Sequence, residues 1–336
     1  MKKQKKQNVT LFSPGLMNAT GEIPEKLTND VILHSVTQNN NEVLKGLTAA
    51  LLMLPVEAIT SVELLNPIDY RNYADKEIIL DIKAKVNDEK LMNVELQMLL
   101  SADSKWWINR SLLYLCRTYD NLKKGGDYGN IYPSMQVSIV PADVFSGAEP
   151  EFYSSYHLKN DKNSHIYTRD FSLRVLYLNH IDLATEEDKR YCLDYWADAF
   201  SATTWEELKT LAIKGEVFKE MAEAIYTVNA DVSQRSIAEA HRKWLELNTY
   251  LTKSREKAEQ QAAEAQQQAD EAQHRAKEAQ HRAEEAEHRA EEAEHRTEEA
   301  EHRTEEAKHR TEEAEQKLAK AEAELAKYKE KYGDDI

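Results

Sequence analysis

The sequence predicts an α/β protein: a mixed sheet flanked by helices, then a helical region, then a long C-terminal helix with coiled-coil periodicity. Three observations carry this. Short runs rich in β-branched residues alternate with helical patterns over the first 180 or so residues. Helical spacing alone persists from Ala184 to about Ser254. A seven-residue repeat then fills most of the remaining chain.

The 336 residues divide sharply in composition. Nearly all aromatic residues, glycines and prolines precede Lys253, after which Ala, Glu, Gln, Arg, His and Lys dominate. From Lys253 onward there are 16 Lys+Arg and 25 Asp+Glu, leaving 28 basic and 35 acidic residues before it. Both parts are acidic and the net charge is −16, so the chain carries no global basic footprint for nucleic acid, although a local basic groove stays open. Cys116 and Cys192 sit in apolar helical patterns and read as buried reduced thiols, as in a cytoplasmic protein. The basic start "MKKQKKQNVTLFSPG" lacks an apolar core, so no secretory signal is expected. "LTAALLMLPV" is too short to span a bilayer and is stopped by Pro55, so no membrane association is expected.

In chain order, "LTNDVILHSVTQNNNEVLKGLTAALLMLP" reads as a capped helix or helical pair, started at Asn29 or Asp30. "AITSVELLNP" is a strand, and "EIILDIKAKV", the turn "NDEK" and "LMNVELQMLL" form a hairpin. "SKWWINRSLLYLCRTYDNL" has helical spacing through Trp107, Leu112, Leu115, Tyr119 and Leu122, and "KKGGDYG" ends it. "YPSMQVSIVP", "EFYSSYHLKN" and "FSLRVLYLN" are strands. Trp196, Phe200, Leu208, Leu211, Met221, Ile225, Trp244 and Leu247 are the expected core of the helical region. The domain limits implied are a basic disordered stretch at 1–24, a core at 25–182, a helical extension at 183–254 and the heptad helix at 255–332.

In the tail, Ala and Thr alternate at spacings of four and three from Ala272 to Thr304, the a/d seam of a coiled coil. Arg289 falls at g, and Glu287 and Glu294 at e, which suits ion pairs between parallel chains of a homodimer. Glu285 to Arg289 and Glu292 to Arg296 are i,i+4 pairs in the favourable order, each worth roughly 0.2–0.5 kcal/mol. Because Ala and Thr knobs bury little, a solitary charge-stabilised helix is the competing reading. About 75 helical residues would extend roughly 110 Å. The heptad histidines, His274 to His309, occupy the outer f position; neighbours in one chain lie about 10 Å apart along the axis, too far to share a metal ion, and read as solvated.

Glu95 and Gln97 interrupt the apolar run "LMNVELQMLL" and share one face of the strand. If Asn87 to Glu89 form the hairpin loop, Val86 pairs with Lys90 and Asp81 falls opposite Glu95. Two carboxylates about 5 Å apart repel unless a hard divalent cation lies between them. Such a cation would make bound water a better nucleophile and polarise a phosphoryl oxygen. The competing reading is a solvated acidic face.

At these residues "ADKEIILDIKAKVNDEKLMNVELQ" resembles the core of the PD-(D/E)XK nuclease superfamily, and more narrowly the Rpn recombination-promoting nuclease / putative transposase family. Asp75-Lys76, Leu80-Asp81 and Val94-Glu95-Leu96-Gln97 carry the resemblance. "LTND", Arg110 and Tyr114, Tyr128 and Pro133, "LDYWADAF" and "EELKTLA" extend it over roughly residues 25–255. The resemblance implies a restriction-endonuclease-like mixed sheet and Mg²⁺-dependent hydrolysis of DNA phosphodiester bonds. It implies Asp81, Glu95 and the Leu96 carbonyl as metal ligands. Gln97 stands where the wider superfamily keeps lysine and acts by hydrogen bonding alone. Asp30 is either an auxiliary acid or a helix cap. Arg110 is either a contact to the DNA backbone or an ordinary arginine, and Trp106 and Trp107 read as packing. The chain departs from the family at Leu33 and His34, where an aromatic residue and a lysine are usual, and at Tyr177-Leu178-Asn179-His180, where the family commonly has Glu-Leu-Pro-Lys. The alternative function is a catalytically decayed domain serving as a coiled-coil interaction module.

Overall fold

The computed structural model describes residues 12–66, 82–98, 104–145 and 147–333, with backbone only for Ser104 and Tyr332. Two compact units emerge, the first ending at Leu251 and the second beginning at Thr252.

In the first unit, six described strands form one mixed sheet in the order β1-β2-β3-β4-β6-β5. The strands are β1 (Val62–Leu64), β2 (Ile82–Val86), β3 (Lys90–Leu96), β4 (Ser134–Val140), β5 (Tyr153–His157) and β6 (Phe171–Tyr177). β1, β2 and β3 run antiparallel in sequence, β3, β4 and β6 are parallel, and β5 is antiparallel to β6. A parallel neighbour needs a crossover, and α4 (Ser104–Tyr119) supplies the one between β3 and β4. With its covering helices, this is the restriction-endonuclease-like α/β architecture expected from the sequence.

The helices start where capping chemistry allows. α1 (Pro14–Asn18) is capped by Ser13. Asn29 caps α2 (Asp30–Asn39), accepting from the Val31 amide, and Asn40 caps α3 (Asn41–Leu52). Asp30 is thus the first helical residue, where a carboxylate also meets the positive end of the helix dipole. α3 ends at Met53, left-handed at φ 57°, just before Pro55. Thr185–Asp188 and Thr204–Glu207 form capping boxes for α5 (Glu186–Arg190) and α7 (Trp205–Ala212). α6 (Leu193–Ser201), α8 (Glu216–Ala230) and α9 (Val232–Tyr332) complete the set.

Strand alternation gives the sheet two unlike faces. The back face presents Met92, Val94, Met135, Val137, Ile139 and Leu176 to a core shared with α2, α3 and α6–α8, including Trp196, Phe200, Met221 and Ile225. Gly46 lets α3 approach α8 closely: a Cβ there would lie 2.4 Å from Val217 Cγ2. The front face carries α4 through Trp107, packed with Val140, Val175 and Tyr177.

Some sequence expectations change. Trp244 and Leu247 are exposed, at 59% and 56%: Ala238 is the last buried residue of α9, and beyond it the helix meets earlier elements through the polar contacts of His241 with Asp30 and Arg242 with Glu25. Cys116 is exposed rather than buried, since the buried stripe of α4 passes through its neighbour Leu115. In the second unit α9 continues as helix, with its described side chains exposed. No helix among the described residues is long and apolar enough to cross a membrane.

Candidate functional site

The site begins with the β2–β3 turn. Asn87 and Asp88 both take left-handed φ, 51° and 54°, which these residue types tolerate, and the Glu89 amide closes the turn on the Val86 carbonyl at 3.0 Å. Asn87 Oδ1 also accepts from the Thr60 and Ser61 amides, tying the turn to the start of β1. Val86 pairs with Lys90, and the register continues to Ile82 opposite Val94. This is the register read from the sequence. Asp81, Asp75, Lys76 and Leu80 lie outside the described residues.

Glu95 is on the front face near the end of β3, and only 1% exposed. The solvated-face reading therefore fails for this carboxylate. Arg110, one turn beyond Trp106 on α4, donates its Nε–H to Glu95 Oε1 at 2.5 Å. Gln136 Nε2 reaches Oε2 at 3.5 Å, and Asn93 Nδ2 donates to Gln136 Oε1 at 2.9 Å. Ser138 pairs directly with Glu95 across the parallel ladder, and its buried Oγ has no hydrogen-bond partner among the described residues. The Arg110 guanidinium is 4.9 Å from the Tyr114 ring and 5.4 Å from the Trp106 ring. Trp107 packs into the front core as expected, whereas Trp106 is half exposed beside the arginine.

Burial pushes the Glu95 carboxyl above its ordinary range; Arg110 pulls it back in part, and the nearby negative charge of Asp30 raises it further. Asp30 itself is held by His241 of α9, Nε2 to Oδ2 at 3.1 Å, and Trp244 stacks on that imidazole with ring centroids 6.1 Å apart. One turn along α2, His34 is fully buried, its Nε2 is 3.1 Å from the Asn66 carbonyl, and burial lowers its pKa to about 4. An uncharged histidine thus occupies the position where the resemblance leads one to expect lysine. Gln97 directly follows β3, its backbone N–H donating to the Ile139 carbonyl at 2.9 Å, and Leu96 packs its side chain against the back-face core. His180, in the segment after β6, contacts Asp143 at 2.7 Å.

Among the described residues no group of three His, Cys, Asp or Glu side chains could hold a metal ion. The described donors here, Glu95 and Asp30, are carboxylates, which suit a hard divalent cation. The burial that raises the Glu95 carboxyl, and a buried Ser138 Oγ with no hydrogen-bond partner among the described residues, fit a site able to take a cation.

Sequence reasoning singled out Asp30, Glu95 and Arg110, and the structure brings them together. It missed Asn93, Gln136, Ser138 and His241. The first was legible, two residues before Glu95 on the same face; Gln136 and Ser138 were visible as polar interruptions of "MQVSIV". His241 carried no local signal.

Residues 250–311 are similar to the alanine-zipper of the major outer membrane lipoprotein, in keeping with the coiled-coil heptads of α9. No curated protein and no solved structure matches the chain. Residues 33–250, well over half of the 336, match the family described as PD-(D/E)XK nuclease family transposase, and the chain belongs to that family.

Proposed function

We propose that the protein is a Mg²⁺-dependent DNA endonuclease of the recombination-promoting, transposase-associated type, with its site at the β3 terminus. The observation that carries this is the burial of Glu95 beside Arg110, on a hairpin whose described register is the one read from the sequence. Asp81, Glu95 and the Leu96 carbonyl would hold the cation, with Asp30 as an auxiliary acid. When bound, the cation supplies charge for the phosphoryl oxygens and acidifies a water. Gln97 orients the attacking water by hydrogen bonding. The water oxygen bonds to phosphorus, the bond to the leaving oxygen breaks, and a phosphate monoester and a hydroxyl result. Arg110 compensates Glu95 before substrate arrives and then turns its guanidinium to the DNA phosphate, a planar match that its stacking on Trp106 and Tyr114 preorganises.

The heptad helix would make the enzyme a parallel homodimer, so that two sites address two strands. Exposed Leu318, Leu325 and Tyr328 continue the Ala/Thr spacing and give the seam larger knobs towards its end, which supports dimerisation over a solitary helix.

The test is cleavage of supercoiled plasmid in Mg²⁺ by wild type and by Glu95→Gln, which preserves shape and Arg110 contact. Loss of cleavage by on the order of 10²-fold or more is expected, with thermal unfolding reporting that the variant is folded. Equal cleavage by both proteins removes Glu95 from the chemistry. If neither folded protein cuts, the interaction-module reading takes its place.

A further inference from the structure

On the back face, the face opposite to Glu95, a cavity of about 720 Å³ opens between the sheet and the turn leading into α5, reaching from the first residues of β3 and β4 to Arg174 of β6. Lys90 and Ser134, the first residues of β3 and β4, lie on its wall. Five residues of strand, about 16 Å, separate Lys90 from Glu95, and the two belong to opposite faces. The volume is in the range of small-ligand sites.

Four cationic side chains line this cavity: Lys90, Lys159, Arg169 and Arg174. They come from two strands, β3 and β6, and the loop between β5 and β6, in a chain whose net charge is −16. Among the described residues, Lys90, Lys159 and Arg169 make no side-chain ion pair or hydrogen bond. Arg174 is anchored: its Nη1 donates to the Leu51 carbonyl at 2.7 Å and its guanidinium faces the Tyr153 ring at 5.8 Å, yet its buried Nε has no partner among the described residues. Two acids also line the wall. Asp188 Oδ2 is already taken by the Thr185 amide and hydroxyl at 2.8 and 2.7 Å, and Glu187 is exposed. His157, on the same wall, has its pKa lowered by desolvation and then by Arg169, Arg174 and Lys159, which places three of these charges around one imidazole. Four cations against two carboxylates leave an excess of positive charge on this wall, which an anion would offset.

We propose that this cavity is a second, non-catalytic site that binds phosphoryl oxygens, carried either by a nucleic-acid strand or by a small phosphorylated ligand. The anchored guanidinium of Arg174 supplies the fixed donor, and the exposed Lys159 and Arg169 close over the ligand as mobile charges. The assignment stands on its own residues and does not depend on hydrolysis at Glu95.

The experiment uses the full chain in EDTA, so that no strand is cut. Inorganic pyrophosphate is titrated by calorimetry and a fluorescent 12-nucleotide single strand by anisotropy. Wild type is compared with Lys159→Gln/Arg169→Gln, two exposed positions whose loss uncovers no core, and with Lys257→Gln/Lys277→Gln, which removes the same charge from exposed positions of the second unit. About tenfold weaker binding of at least one probe is expected in the first double variant, with a shallower salt dependence and no comparable loss in the second. Weakening confined to the oligonucleotide identifies strand phosphates, and weakening of pyrophosphate identifies a small phosphorylated ligand. The proposal is overturned if wild type binds neither probe, or if the first double variant binds both as tightly as wild type.

Discussion

α8 and the heptad stretch of α9 are both helices, but they are held by different means. α8 buries Phe218, Met221, Ala222, Ile225 and Val228 against partners far away in sequence. The heptad stretch buries none of its described side chains. Its visible supports are local: Glu285–Arg289 and Glu299–Arg303 at 3.8 Å, Glu292–Arg296 at 3.9 Å, and Thr297 Oγ1 donating to the Ala293 carbonyl at 2.8 Å. Stability in the first unit is therefore concentrated in a few residues, whereas in the second it is spread thinly over many. Helix propensity and i,i+4 pairs contribute only tenths of a kcal/mol each.

The sharpest way to break this contrast is to cut into the shared core. Trp196 is nearly fully buried among α3, α6 and α8, and Trp196→Ala should cost about 3–5 kcal/mol by cavity formation. Chemical denaturation followed by tryptophan fluorescence measures it; a loss of less than about 1 kcal/mol would mean that the core is not organised around this ring.

Histidine offers a second, smaller contrast. The tail histidines are exposed, whereas His34 is enclosed and its pKa is lowered from 6.5 to about 4. The unfolded chain takes up the His34 proton first as the pH falls. The contribution of His34 to stability is thus complete above about pH 6.5 and is progressively lost as the pH drops to about 4, on the order of 3 kcal/mol in all. Glu95, with its raised carboxyl, acts with the opposite sign: its contribution is present at low pH and is lost as the pH rises through its folded value. Denaturation midpoints at pH 7 and pH 5 for wild type and His34→Gln separate the two. The variant should lose less stability on acidification; an unchanged pH dependence would refute the assignment to His34.

The smallest effect belongs to the tail. Ala293→Gly should cost about 1 kcal/mol of local helix stability and leave the unfolding of the first unit untouched. Circular dichroism of the full chain, followed beside tryptophan fluorescence, reads the two units separately. A shift of the fluorescence transition by Ala293→Gly would show that the second unit is not energetically separate.

Local features were legible because their causes are local. The hairpin register followed from Asn87 to Glu89 closing the turn, and Val86 pairs with Lys90 as that loop length requires. Asn29, Thr185 and Thr204 cap helices through amides two or three residues away. Trp244 and Leu247 were misread for the complementary reason: helical apolar spacing says that a face exists, and only the packing says whether anything covers it. Glu95, Asp30 and Arg110 stood out as residue types, but Gln136, Ser138 and His241 did not.

The sequence by itself determined the strand and helix segments, the order of the hairpin and the heptad seam, since hydrogen bonding and side-chain periodicity act over a few residues. Only the tertiary structure decided that Arg110 faces Glu95, that His241 meets Asp30 across 211 residues, and that Lys90, Lys159, Arg169 and Arg174 share one cavity. These pairings depend on how α4 and α9 are rotated and where strands end, and a shift of a single residue in either would aim a different side chain at the same place.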